Sequence, residues 1–264
     1  MLSKLTALTS LDMMYCGLPH IPTQLSALPC LQHLSLCGNR MGTTAAASGF
    51  EPLRSLARLT SVDLRSCHLT LLPPQLSCLS ALAHLKLRYN HDLGHLLAGG
   101  AAPPGRPAVA VASSWQPLVS LGASLTHLDL IYDNIVALPT DFSSLCGLKE
   151  LLLSSNDLGS MEGDGAALRP LSGLTALSFL QLDSCKLSCV PMQLRQLPTL
   201  RVLHLGGNPT LGMLGQELAQ QLMGLTALTH LNLCDCNVLH PSVTTPLVVR
   251  GVCVQLQSSL CLTG

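Results

Sequence analysis

A chain of 264 residues with 14 basic and 14 acidic side chains carries no formal net charge, which argues against a general affinity for nucleic acid or an acidic lipid surface. Apolar residues make up 48% of it and aromatic ones only 3%, so its core must be aliphatic, and leucine dominates. Twelve cysteines would suit a disulfide framework in a small secreted chain, but no other feature of the sequence supports that reading.

In chain order, the opening segment MLSKLTALTSLD has its apolar run broken by Thr, Ser and Asp12, and it reads in a repeat frame instead of as a signal peptide. Leu2 and Leu5 match the final leucines of a unit, such as Leu25 and Leu28. From Leu8 a pattern L-x-x-L-x-L-x-x-N/C-x-L recurs. It is seen in LTSLDMMYCGL (8–18), LQHLSLCGNRM (31–41), LTSVDLRSCHL (59–69) and LAHLKLRYN (82–90). It continues in LTHLDLIYDNI (125–135), LKELLLSSNDL (148–158), LSFLQLDSCKL (177–187), LRVLHLGGN (200–208) and LTHLNLCDCNV (228–238). The L-x-L core alternates with period 2, as a short strand does, and stacked copies pair into a parallel sheet.

The steps between first residues are 23, 28, 23, 43, 23, 29, 23 and 28, so short and long units alternate. Cys16, Cys67, Asp133, Cys185 and Cys236 close the short units, and Asn39, Asn90, Asn156 and Asn208 close the long ones. A polar group is needed there to satisfy the backbone of the turning chain. Short units return through L-P segments such as LTLLPPQLSCL (69–79), and long ones through FEPLRSLARL (50–59), WQPLVSLGASL (115–125) and LRPLSGLTAL (168–177). LGQELAQQLMGL (214–225) predicts a helix with Leu214, Leu218, Leu222 and Leu225 on one face.

One long unit carries an Ala-, Gly- and Pro-rich insertion at 96–114, expected to be a loop. Trp115, which follows it, could anchor a partner, but its alignment with Phe50 and Leu168 favours a buried wedge. After Val238 the frame is lost, and 239–264 is expected to be an irregular tail or cap.

Nine copies of this motif resemble the leucine-rich-repeat family over residues 2–238. The L-P returns resemble the typical class of intracellular Ras-group and plant proteins, and the Cys/Asn alternation is similar to that of ribonuclease inhibitor. The resemblance implies an α/β solenoid, a horseshoe or arc of about nine repeats with a concave parallel sheet and convex helices and irregular turns. Stability would be a sum over neighbouring units.

Outward side chains occupy the third, fifth, seventh and eighth positions of each motif, and neighbouring strands lie about 4.8 Å apart. All three tyrosines fall in the eighth column. In strands three to five, Asp63, Arg65, His84, Lys86, Arg88, Tyr89, His127, Asp129 and Tyr132 form the candidate contact patch, because Tyr and Arg are enriched in binding hot spots. A solvated polar face is the plainer reading of the same residues.

His84 and His127 with Asp63 and Asp129 could imitate a metal site, as could Cys234 and Cys236 with His240, but neither has the enclosure of a real one. No Gly-rich phosphate loop or nucleophile elbow appears, so neither cofactor nor catalysis is expected. The expected function is a non-catalytic adaptor or scaffold, a cytoplasmic monomer that binds an unidentified protein without inserting into membranes. The absence of an N-x-S/T acceptor supports the cytoplasmic setting. A regulator of a GTPase or phosphatase in trans, with Arg40 or Arg88 as its candidate residue, and the ligand-reading part of a larger receptor are the alternatives.

Overall fold

The computed structural model describes residues 4–43, 47–95, 115–159, 166–238, 241–257 and 260–262. The chain divides into two compact units, residues 1–134 and 135–264. The insertion at 96–114 lies outside the described residues.

In the first unit, β1 (Ser10–Asp12), β2 (His33–Ser35), β3 (Ser61–Asp63), β4 (His84–Lys86) and β5 (His127–Asp129) pair side by side, all parallel. Each strand is the third to fifth residue of a motif. The central residues Leu34, Val62, Leu85 and Leu128 are in register and at most 2% exposed. The pleat therefore turns the third and fifth residues to the opposite, open face.

The second unit repeats this with β6 (Glu150–Leu152), β7 (Phe179–Gln181), β8 (Val202–His204) and β9 (His230–Asn232). Its core column is Leu151, Leu180, Leu203 and Leu231.

The returns are short helices and turns, in keeping with the expected helices and irregular turns. Most are 3₁₀ turns: Thr23–Ala27, Ala47–Ser55, Pro74–Cys78, Thr140–Ser144, Ala166–Gly173 and Met192–Gln196. Their leucines recur every third residue, as in Leu53, Leu56 and Leu59 or Leu76, Leu79 and Leu82, all at most 1% exposed. A period of three aligns side chains on a 3₁₀ turn, which has three residues per turn, and not on an α-helix. The α-helices α1 (Asp92–His95) and α2 (Gln116–Val119) are single turns, whereas α3 (Gln216–Met223) buries Leu218 and Leu222 at α-helical spacing. Trp115 is 1% exposed, in the position that Phe50 and Leu168 fill in other long units, so it is a core wedge.

The described part of the tail forms regular elements that cover the last repeat strand. Helix α4 (Pro241–Val249) buries Val243 and Leu247, β10 (Cys253–Gln257) pairs parallel with β9, and β11 (Leu260–Leu262) pairs antiparallel with β10. Val254 lies in register with Leu231 and is fully buried, so the tail covers the last leucine column with a valine. Cys253 is disulfide-bonded, while Cys16, Cys67, Cys185 and Cys236 are free.

The residue that closes each strand carries the network of buried hydrogen bonds. The Asn208 amide donates to the carbonyls of Leu182 (3.0 Å) and Leu205 (2.7 Å), and its Oδ1 accepts from the N–H groups of Cys185 and Leu187 (3.0 Å each). Asn90 does the same for Leu64, Leu87, Cys67 and Leu69. Each asparagine thus satisfies its own turn and that of the short unit before it. In the short units the thiols of Cys67, Cys185 and Cys236 donate to Leu36 (3.2 Å), Leu153 (3.3 Å) and Leu205 (2.9 Å). Burial pushes the Cys67 and Cys185 thiols up to about 12 and Cys236 to about 11, so all three stay protonated donors at neutral pH.

Asn208→Ala would leave two buried N–H groups and two carbonyls without these partners, each unmet group costing about 1–3 kcal/mol. It is expected to destabilise the protein by roughly 3–6 kcal/mol in urea denaturation, against about 1 kcal/mol for Cys185→Ala, which loses one weak bond. Equal losses would mean that the asparagine has no special role.

Candidate functional site

Three strands of the first unit assemble the candidate patch. Register places His84 opposite His127, and Lys86 between Asp63 and Asp129. The imidazoles of His84 and His127 stack with centroids 4.0 Å apart, and the Thr126 hydroxyl lies 2.7 Å from His127 Nδ1. Tyr89 and Tyr132 stack at 5.4 Å, and the His91 ring stands edge-on to both at 6.2 and 6.4 Å. His91 belongs to this aromatic group although nothing in the motif singles it out. It is the tenth residue of a long unit, a position with no constant role in the repeat.

The two aspartates are not presented to a partner. Asp63 and Asp129 are only 9% and 8% exposed. Asp63 accepts the Arg65 backbone N–H (3.1 Å) and binds the Arg65 guanidinium through both carboxylate oxygens, at 2.6–3.0 Å. Asp129 accepts the Ile131 N–H (3.1 Å) and pairs with Arg88 at 3.2 Å. A short Asp or Asn side chain whose oxygen accepts the N–H two residues on shapes the turn leaving the strand. Asp12 does this for Met14 and Asn232 for Cys234. The hydrogen bonds to Asp63 raise the Arg65 guanidinium further above its ordinary value. Lys86, by contrast, is exposed and makes no ion pair among the described residues. The patch therefore offers one unpaired cation, two arginine edges held by buried anchors, two stacked imidazoles and an aromatic pair.

The tyrosines sit in an unusual backbone conformation. Every eighth-column residue has positive φ: Tyr15 52°, Gly38 72°, Ser66 53°, Tyr89 65°, Tyr132 60°, Ser155 59°, Ser184 54°, Gly207 66° and Asp235 56°. Glycine takes this region freely, whereas a bulky side chain there costs on the order of 1 kcal/mol. At Gly38 even a methyl group would meet the Tyr15 ring at 2.3 Å. The short units add a second left-handed residue at the tenth position, in Gly17, His68, Asn134, Lys186 and Asn237.

Among the described residues no three His, Cys, Asp or Glu side chains gather to hold a metal ion. Cys236 is engaged with Leu205, and His240 lies outside the described residues. In the second unit the open face is more apolar. Phe179 and Val202 are paired in register and half-buried, and Phe179 lies 5.1 Å from the His204 ring. Asp183 there accepts from Gln181 (2.8 Å) and the Gly206 N–H (2.7 Å), so it too is a turn anchor.

The family described as Leucine Rich Repeat matches residues 58–79. Mouse Tsukushi is 29% identical over 237 residues, 90% of this chain, and the chain spans about half of that relative's length (53%). Among solved structures, a leucine-rich-repeat protein of Leptospira interrogans superposes with a TM-score of 0.59 at 22% identity, over 89% of this chain and 62% of that one. Internalin C2 of Listeria monocytogenes gives 0.61 at 20% identity, over 88% and 83%. A leucine-rich-repeat-containing protein of Legionella pneumophila gives 0.59 at 18%, over 94% and 83%. Tsukushi is a secreted protein, which overturns the expectation of a cytoplasmic chain. The Cys253 disulfide agrees, since such bonds persist in oxidising compartments.

Asp129→Ala removes the acceptor for Ile131 N–H and the partner of Arg88, and is expected to cost about 1–3 kcal/mol in chemical denaturation. Lys86→Ala, on the exposed face, should stay within about 0.5 kcal/mol of the parent. A harmless Asp129→Ala would return that carboxylate to the set of available contact groups.

Proposed function

Because the chain is a leucine-rich-repeat protein, we propose that it is a non-catalytic binding module that captures a partner protein on the open sheet face of its first unit. Leucine-rich-repeat proteins generally mediate protein–protein interaction, and nothing in the chain points to enzyme activity. The observation that carries the choice of face is the tyrosine pair. Tyr89 and Tyr132 are 45% and 47% exposed, stacked on each other, and held at φ values that glycine would adopt at lower cost. An exposed aromatic pair in a backbone position that every unit holds left-handed gains nothing for the core. Tyrosine and arginine are favoured as anchors, and the arginines beside the pair are pre-positioned by Asp63 and Asp129.

Regulation of an enzyme by a protruding arginine has little support here, because Arg88 is tied to Asp129. A second reading, the ligand-reading part of a longer protein, is supported by the match to about half of the mouse relative.

Glycine substitution separates binding from folding, because it removes the ring and suits the backbone. Tyr89→Gly and Tyr132→Gly should each remain within about 1 kcal/mol of parental stability, relief of φ offsetting the lost stacking. Each should weaken binding of the partner captured by the parent protein by about 2 kcal/mol, roughly 30-fold, in calorimetric titration. Parental affinity in both variants would rule this face out.

A further inference from the structure

We propose that the Asp133 carboxyl is a proton-held clasp beneath the Tyr89–Tyr132 pair, and that loss of its proton loosens the two turns that present these rings. The argument begins with the slot. Asp133 occupies the strand-closing position of a short unit, where the free cysteines Cys67, Cys185 and Cys236 each donate an S–H to the leucine carbonyl that ends the preceding strand. The slot calls for a donor, and a carboxyl can donate only when protonated. Asp133 is fully buried.

The same residue ties two turns together. Its Oδ1 accepts the Asn90 N–H at 2.7 Å, next to Tyr89, and its backbone carbonyl accepts the Gly94 N–H at 2.9 Å. Around it Tyr89 N–H donates to Ile131 O (3.1 Å), and the Asn134 amide donates to His91 O (3.1 Å). Tyr89, His91 and Tyr132 thus stand on one hydrogen-bonded double turn with Asp133 at its centre. At Gly94 a Cβ would meet Asp133 and Asn134 carbonyls at 2.2 Å, so the two turns are in close backbone contact.

The charged groups that act on Asp133 among the described residues are Asp129, at the end of β5, and Arg88, just past β4. Arg88 is already paired with Asp129 at 3.2 Å, and His91 turns its ring to the tyrosines. Burial therefore prevails over the Asn90 N–H and Arg88, which favour the anion, and the carboxyl is pushed up to about 8. The direction of the linkage follows. An unfolded aspartate releases its proton near pH 3.9, so between about 4 and 8 the folded state holds a proton that the unfolded state has lost. Stability from this group is full below that window, falls as pH rises through it, and levels off above about 8, where both states are ionised.

The proposal needs no partner and is tested on the protein alone. Near-ultraviolet circular dichroism of the tyrosine band, followed from pH 6 to 9, should change reversibly with a midpoint near 8 in the parent. This is well below the ordinary tyrosine value of about 10. Asp133→Cys, which places in this slot the thiol used by its neighbours, should hold the signal constant over the same range. A flat parental signal, or an identical transition in Asp133→Cys, would overturn the proposal. Should that variant fail to fold, the Asp133 carboxyl carbon resonance of the parent decides the matter. A midpoint above 7 supports the clasp, and one near 4 refutes it.

Discussion

The fold depends on closing a buried turn after every three-residue strand. Each strand ends with carbonyls and N–H groups that face the next unit and have no water to meet them, and an unmet buried polar group costs more than a made hydrogen bond returns. One side chain per unit answers this demand. Asparagine can donate and accept together, so Asn90 and Asn208 each hold four backbone groups drawn from two consecutive units. Cysteine in the intervening units needs only to donate once. The alternation of the two residues is therefore a division of labour within a pair of units, and it explains why the repeat period read from the sequence is a pair.

The strand face inherits its character from those turns. A left-handed residue stands immediately before each closing side chain, and most units fill that place with Gly, Ser or Asp. Three units fill it with tyrosine instead, and two of these are adjacent. For the adjacent pair, Tyr89 and Tyr132, core packing gives no reason, because their rings are exposed and their ring contacts among the described residues are with each other and with His91. The fifth-column carboxylates show the opposite case: residues that look available for contact are consumed by the arginines and backbone beside them.

Much of this was legible in the residues, and the rest was hidden for physical reasons. Positions three to five of each motif coincide with the nine repeat strands because period-2 burial leaves no other register for leucine. Trp115 was readable as core from its alignment with Phe50 and Leu168. The 3₁₀ character of the returns was also present, in the every-third-residue leucines, but an amphipathic segment is easily read with an α-helical period. Strand β10 is not legible in the repeat frame because Val254 stands where Leu231 does in β9 and no Asn or Cys fills the closing position. The burial of Asp63 and Asp129 depends on where arginine side chains fold back, which column position alone does not encode. The cytoplasmic reading rested on missing glycosylation acceptors, a weak signal that the secreted mouse relative and the bonded Cys253 overrule.

The claim that strand-closing asparagines, and not the short strands themselves, hold the units together is tested most directly by native-state hydrogen exchange. The N–H groups of Cys67, Leu69, Cys185 and Leu187 lie in turns, yet each donates to an asparagine side chain. They should exchange only through global unfolding, as slowly as the central amides of the strands. If they exchange at the rates of ordinary surface turns while the strand amides stay protected, the asparagine network is not what the fold depends on.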